Sequence, residues 1–372
     1  MFIRRSGDTI RPLGIVGCLR AGFEIVSRRP WLVLLPVVVD LLLWLGPRLS
    51  FDPAWVAASI NDYVALATAA GAVDPQSVTQ IEQMVTFLVD VSERFNLFSL
   101  LNLVPLLNVP SLIGHRSGYY RIAVASPLGA RPALFVEGIG PLAGWMALVL
   151  PLGVILAFVY LTSVAGPAGR LRQVKSGDRS NPSKLVVVET RPDPEQKLGL
   201  QEHLSRLIQF LLFAALVLVA VLIAAPIMGV AVATTWSMSE LLGISLAMFG
   251  TGLAYYIALQ IAFVAPSIVL GGRKLIPAIR ESVTIVYVES RPAIWFVFAV
   301  FILYQLASGL WTLAEPDSWA LAAGIIGNAC VGTGLTAATF VFYQERAARL
   351  KRRLAPADQP PRSSDDGEEA KE

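Results

Sequence analysis

Long stretches of this chain carry no charged side chain, and this absence limits the fold more than any other feature of the sequence. A helix of about 20 apolar residues is long enough to cross about 30 Å of hydrocarbon. Six apolar segments approach or exceed that length: residues 31–47, 139–166, 207–235, 241–270, 294–313 and 319–343. The mean hydropathy of +0.62 agrees with such an environment. The sequence therefore predicts an all-α polytopic integral membrane protein with about six transmembrane helices.

A seventh apolar segment, residues 97–113, has adequate length but contains two asparagines and two prolines. Non-helical backbone at membrane depth has to be covered by protein or water. We interpret 97–113 as a re-entrant or interface-lying segment that packs on the bundle, and a seventh span remains the alternative.

The distribution of basic residues predicts the orientation, because Lys and Arg concentrate in cytoplasmic loops. Residues 1–30 contain six basic and two acidic side chains, 167–205 contain seven and five, and 271–293 contain four and two. The loop 49–138 contains four basic and seven acidic side chains, and the turn 315–317 is purely acidic. Six spans with both termini in the cytoplasm place every basic stretch inside and both acidic stretches outside.

This topology divides the chain into three parts. Residues 1–30 form a cytoplasmic N-terminus with an interfacial amphipathic helix, and 31–343 form the transmembrane domain. That domain includes an outer helical loop, 49–138, and a cytoplasmic loop, 167–205. The remaining residues, 344–372, are a cytoplasmic tail that is first basic and then acidic, with a composition typical of disorder. In the outer loop, Asp-Pro pairs at 52–53 and 74–75 predict the starts of two amphipathic helices.

Two cytoplasmic segments, 19–26 and 279–286, resemble each other, and each precedes an Arg-Pro pair and a span. Internal duplication and the shared physics of interfacial helices both explain the likeness. Each segment predicts a helix in the inner headgroup layer, with arginines that reach anionic phosphates. The predicted apolar stripes are Val16, Leu19, Phe23 and Val26 in the first helix, and Ile276, Ile279, Val283 and Val286 in the second.

Asp40 is the one charged side chain deep inside an apolar run, so it is the first candidate for a functional site. Such residues face the interior of a bundle and find partners there. A depth count of about 1.5 Å per residue places Gln260, Tyr304 and Gln305 at the same level. This predicted intramembrane polar site is either structural, with a hydrogen-bonded carboxyl, or a proton or cation site of a transporter.

A second candidate is the polar run 115–121, in which His115, Arg116 and Arg121 are suited to a lipid headgroup or another anion. An ordinary solvated loop is the alternative interpretation. No acid–base pair, nucleophile–base arrangement or metal-ligand spacing is evident, so we expect no catalytic residue, no metal and no cofactor. A net charge of +3 does not indicate nucleic-acid binding.

The order of amphipathic helix, Arg-Pro and span, with Ala278-Ile279-Arg280-Glu281-Ser282 leading toward Trp295 and Tyr304, resembles a group of bacterial multi-span proteins. These are related to the membrane domain of glycerophosphodiester phosphodiesterases. The resemblance covers mainly the two ends of the chain. It implies a stand-alone membrane domain in a bacterial inner membrane, without the catalytic domain of those enzymes.

Three functional hypotheses follow from these observations. The first is a non-enzymatic bundle that organises lipids or partner proteins; its partners are the bilayer, anionic headgroups at the inner face and other membrane proteins. The second is a secondary transporter or permease that uses Asp40. The third is a lipid-modifying membrane enzyme.

Overall fold

The structure is a computed structural model that describes most of the chain. The described residues are 13–69, 85–87, 89–90, 92, 95–102, 109–116, 126–129, 131–169, 171–173, 187–189, 199–311 and 313–354. Within them, only the backbone is described for residues 67, 115–116, 171–173, 187–189, 352 and 354. Most of the second predicted outer helix and the tail from residue 355 lie outside the described residues.

Helices dominate the described residues. In chain order they are α1 (Ile15–Arg28), a 3-10 turn (Pro30–Val33), α2 (Leu34–Leu45), α3 (Pro53–Ala69), a second 3-10 helix (Leu97–Asn102), α4 (Leu112–Arg116), α5 (Ile139–Gly169), α6 (Leu200–Met238), α7 (Glu240–Ile261), α8 (Val264–Val269), α9 (Leu275–Val288), α10 (Ser290–Trp311) and α11 (Ala320–Leu354). Among them, α5, α6, α7 continued through α8, α10 and α11 are long and apolar enough to cross a membrane. In the described part of the chain, the protein is therefore an all-helical membrane protein apart from two short strand pairs.

The first of the six predicted spans falls short of a full crossing. The apolar helix there covers Pro30–Leu45, and its first turn is a 3-10 turn. With rises of about 2.0 Å per 3-10 residue and about 1.5 Å per α residue, it is about 26 Å long, less than the hydrocarbon thickness. Pro30 begins the 3-10 turn and Gly46-Pro47 follows the last helical residue, which explains the short length.

Helix α1 lies lengthwise and antiparallel along α11. Near the start of α1, the Cys18 thiol donates a hydrogen bond to Glu345 Oε2 at 3.7 Å. One turn later, a Cβ built on Gly22 would lie 2.5 Å from the amide nitrogen of Ala338 and would also meet the carbonyl of Gly334. The sequence led us to expect α1 in the plane of the headgroups, whereas the structure aligns it with a helix that is long and apolar enough to cross a membrane. Close contact of small residues is the physical reason.

The faces that α1 and α9 bury also differ from the predicted apolar stripes. Val16 and Phe23 of α1 and Ile276 and Val283 of α9 are exposed. The buried residues are smaller on average: Cys18, Ala21, Gly22, Ile25 and Val26 in α1, and Ala278, Ser282, Ile285 and Val286 in α9. In lipid, large apolar side chains gain nothing by facing inward, whereas small ones let helices approach closely.

The described residues also contain two short strand pairs, which lie in loops between the helices. Strand β1 (Arg48–Phe51) pairs in parallel with β2 (Ala133–Val136), and Arg48 lies opposite Ala133 in the register. This pair closes the two ends of the outer loop, in which α3 begins as predicted, with Asp52 Oδ1 accepting from the amide of Ala54 at 2.8 Å. In the loop after α5, β3 (Leu171–Gln173) pairs antiparallel with β4 (Val187–Glu189).

Ionic contacts join the helices at the end of the bundle opposite to the strand pair β1–β2. Glu289, between α9 and α10, pairs with three arginines of α11: Arg346 at 2.8 Å, and Arg349 and Arg353 at 3.4 Å each. Glu281 of α9 accepts hydrogen bonds from the Ser267 and Tyr343 hydroxyls at 2.7 and 3.1 Å. These contacts join α8, α9 and the C-terminal half of α11 at this end of the bundle.

The contact at Gly22 generates a stability prediction. Because a methyl group there meets backbone of α11, Gly22→Ala should destabilise the protein by about 1–3 kcal/mol, the range typical of overpacking. The measurement is the thermal unfolding midpoint in detergent.

Gly252→Ala is the matched control, since nothing lies within 4 Å of a Cβ there. We expect it to be neutral or to stabilise by less than about 1 kcal/mol. Equal midpoints for the two variants would contradict the close packing of α1 on α11.

Candidate functional site

The Asp40 carboxylate lies at the centre of the site and is fully buried. Three donors from the consecutive residues 111–113, one hydroxyl and two main-chain amides, bond to it. The Ser111 hydroxyl donates to Oδ1, the Leu112 amide donates to Oδ2 at 2.8 Å, and the Ile113 amide donates to Oδ1 at 3.2 Å. These hydrogen bonds tie the carboxyl group of α2 to residues 111–113.

The three donors belong to the beginning of α4. Ser111 precedes that helix, and its hydroxyl oxygen also accepts a hydrogen bond from the Gly114 amide at 2.8 Å, as an N-cap residue does. The first amides of a helix have no partner within the helix. Asp40 satisfies two of them from α2, so one carboxylate joins α2 to the turn 111–113.

The segment that carries Ser111 folds back on itself. A Cβ built on Gly114 would lie 2.7 Å from Asn102 Nδ2, so the end of the 3-10 helix Leu97–Asn102 lies beside α4. Leu101 and Leu112 are both buried. The two described parts of the segment 97–113 are therefore neighbours, and both pack on the bundle.

Of the predicted neighbours of Asp40, the structure brings Tyr304 close. The Tyr304 hydroxyl donates a hydrogen bond to the Ser111 carbonyl at 3.4 Å, one residue from the atoms that hold Asp40. Gln305 is exposed on the outside of α10 and does not join the site. The contact of Gln260 with α9 is through its backbone, because the main-chain carbonyl of Gln260 accepts from the Ser282 hydroxyl at 2.7 Å.

Further polar side chains lie deeper in the bundle. The Tyr160 hydroxyl of α5 donates to Thr333 Oγ1 of α11 at 3.1 Å, and both residues are buried. Asn328, one turn before Gly332 on α11, is fully buried, and the Tyr304 ring packs against Gly332. The polar site therefore extends from α2 through α10 to α11 and α5.

Arg131 fixes the end of α2 and was not predicted as a site residue. Its Nη1 donates to the carbonyls of Leu43 and Trp44 at 2.7 and 2.9 Å. These carbonyls belong to the last turn of α2, where a cation is favourable. Burial, together with the nearby Arg48, lowers the pKa of Arg131 to about 10, so the guanidinium stays charged at neutral pH.

Sequence reasoning missed Ser111 and Arg131 for different reasons. The run Pro110-Ser111 before Leu112-Ile113 is a recognisable helix start, so Ser111 carried a local signal. Arg131 carried none, because its partners are main-chain carbonyls 87 and 88 residues away.

The second predicted site is not placed. Only the backbone of His115 and Arg116 is described, at the end of α4, and Arg121 lies outside the described residues. Among the residues that the structure describes, no group of three or more His, Cys, Asp or Glu side chains is arranged to hold a metal ion.

Comparison with known proteins found no match among protein-family models, curated proteins or solved structures. The resemblance to the membrane domain of glycerophosphodiester phosphodiesterases therefore stays a prediction. What the geometry itself supports is a buried carboxyl group that clamps a turn of backbone to the bundle.

This clamp predicts the effect of replacing Asp40 by Asn. The amide has one acceptor oxygen, and its NH2 group would face a donor from the turn 111–113. Since a hydrogen bond to a charged group contributes about 1.5–3 kcal/mol, and an unpaired buried donor is unfavourable by about 1–3 kcal/mol, Asp40→Asn should lower stability by about 2–4 kcal/mol. The measurement is thermal unfolding in detergent.

Asp62→Asn is the control, because Asp62 is an exposed carboxylate on α3. We expect a change within about 0.5 kcal/mol for such a surface substitution. A stable Asp40→Asn protein would show that the carboxyl group does not act as a charged acceptor.

Proposed function

We propose that this protein is a non-enzymatic membrane bundle that organises lipids or partner proteins in the plane of the membrane. The observation that carries the proposal is the α6–α7 hairpin. Beyond Ala214, no residue of α6 is buried, and Gly243 is the single buried residue of α7. The hairpin thus presents apolar surface on both sides.

The two helices of the hairpin contact each other through small residues. A Cβ on Gly243 would lie 2.8 Å from the Trp236 ring, and one on Gly250 would lie 2.8 Å from the Met228 sulfur. Gly229 and Gly252 have open space where a Cβ would lie. Small residues on an open helix face permit another helix or an acyl chain to approach closely.

A secondary transporter that uses Asp40 is the second candidate. The polar groups that surround Asp40 in an apolar bundle favour it, since buried carboxyl groups mark ion pathways in many transporters. However, Asp40 is fully enclosed and already accepts three hydrogen bonds. An organising role needs no movement of these groups, whereas coupled transport requires that they separate.

We propose that the bundle lies in the inner membrane of a bacterial cell with both termini in the cytoplasm. Two observations support this orientation. Arg346, Arg349 and Arg353 surround Glu289 at one end of the bundle, and Glu315 and Asp317 lie at the other. The short α2 then forms the sixth crossing, with 97–113 as a re-entrant segment beside it.

Photo-crosslinking tests the organising role. A photoreactive amino acid at Leu222 or Ile227 of α6, which are 56% and 65% exposed, should give a discrete adduct with a membrane protein or a lipid in cells. Leu148 of α5 is the matched control, because it is 59% exposed on another side of the bundle.

We expect adducts at the hairpin that are absent at Leu148. Identical adduct patterns at the three positions would mean that the hairpin contacts only bulk lipid, and the proposal would fail.

A further inference from the structure

The exposed face of α1 carries charged and polar side chains beside the apolar Val16 and Phe23, although the helix lies along a candidate span. Arg20, Ser27 and Arg28 are exposed, and Arg28 pairs with Glu24 at 2.6 Å. The side chain of Arg28 is 51% exposed even in that pair. Three basic residues and one acidic residue lie between positions 20 and 29, so this face carries net positive charge.

The contact of α1 with α11 fixes the depth of these charges. Glu345 is the first charged residue that α11 reaches after Ala320, and Gly22 lies against Gly334 and Ala338. Seven residues of helix separate Ala338 from Glu345, which is about 10 Å. Because α1 runs antiparallel, Arg28 lies about 9 Å farther from Glu345 than Gly22 does.

At the depth of the Gly22 contact, α5 and α10 expose apolar side chains. Tyr160 contacts Thr333, so its neighbour Val159 is level with the contact of Gly22, and Val159 is 47% exposed. α5 carries no charged residue from Ile139 to Gly169. On α10, Tyr304 packs against Gly332, and exposed Phe301 lies one turn nearer to the cytoplasmic end.

Helix α1 is followed directly by the shortest of the apolar helices, Pro30–Leu45. Pro30–Leu45 is about 26 Å long, several Å less than the hydrocarbon thickness. A bilayer accommodates a short hydrophobic helix by thinning beside it. The short length of α2 and the depth of the arginines thus both favour a thinner cytoplasmic leaflet beside these helices.

We propose that phosphate headgroups of the cytoplasmic leaflet bind along the exposed face of α1, at Arg20 and Arg28, so that the bilayer is locally thin beside α1 and α2. This inference rests on the membrane orientation proposed above. A guanidinium in hydrocarbon is strongly unfavourable, and local thinning relieves that penalty. Arginine matches phosphate with two parallel hydrogen bonds, which makes a phospholipid headgroup a suitable ligand.

Depth-dependent fluorescence quenching tests the proposal. The full chain, with Cys18→Ala and Cys330→Ala, receives one fluorophore through Ser27→Cys on α1 or Val159→Cys on α5. Each protein is reconstituted in phosphatidylcholine–phosphatidylglycerol vesicles that contain lipid spin-labelled either on the headgroup or in the middle of an acyl chain.

At position 27 we expect stronger quenching by the headgroup label, and at position 159 stronger quenching by the acyl-chain label. Stronger acyl-chain quenching at both positions would place Ser27 in hydrocarbon and overturn the proposal. Quenching at position 27 by aqueous iodide alone would show a water-filled space without lipid. Absence of quenching by any of these agents would show that a protein segment covers the position. Either result also overturns the proposal. Headgroup or iodide quenching at position 159 would instead contradict the proposed membrane position of the bundle.

Arginine variants identify what draws the headgroups inward. In Ser27→Cys protein, Arg20→Leu with Arg28→Leu should shift the quenching preference from the headgroup label toward the acyl-chain label. Arg280→Leu on α9 is the control, because that arginine lies at the cytoplasmic end of the bundle rather than along a span. An unchanged preference after the double substitution would show that these guanidinium groups do not hold the headgroups.

Discussion

Hydrocarbon offers no hydrogen bonds, so every polar group inside this bundle has to find its partner in the protein itself. Asp40 shows how far this requirement reaches. Its carboxylate holds the turn 111–113, and that turn begins the short helix α4 that lies beside the 3-10 helix at residues 97–102. A chain segment with two asparagines and two prolines thereby becomes part of the bundle. A single buried carboxyl group thus provides hydrogen-bond partners for an irregular region of backbone, which hydrocarbon cannot provide.

The same requirement explains how a helix as short as α2 is held. Arg131 occupies the carbonyls at its end, and the Trp44 indole donates to the carbonyl of Pro316 at 2.9 Å. With Asp40 in its middle, α2 has polar contacts to three different parts of the chain. Longer helices such as α5 need no such contacts, because their length alone matches the bilayer and their own amides are satisfied internally.

Hydropathy was sufficient to predict the long helices but not their arrangement. The ends of α5 and α10 fall within a few residues of the predicted spans, since absence of charge is a local property. The orientation of α1 was not predictable in this way. Its periodicity was interpreted as for a helix on a membrane surface, with large apolar residues toward the bundle, whereas close packing on α11 selects Ala21 and Gly22. The main-chain partners of Asp40 were missed because main-chain amides carry no signal in the sequence, and a depth count on straight spans left out the segment 97–113.

The hydrophobic length that the bundle presents to lipid differs strongly from one side to another. On one side, α6 has no buried residue beyond Ala214, and its apolar part, residues 207–235, is about 43 Å long, which exceeds a typical hydrocarbon core of about 30 Å. On another side, α2 is too short and α1 carries exposed arginines. Lipid that surrounds such a molecule has to meet different hydrophobic lengths at different faces, and each mismatch changes its local thickness. Unequal faces of this kind support the proposed role in ordering lipids or membrane partners, because each mismatch changes the thickness of the lipid beside it.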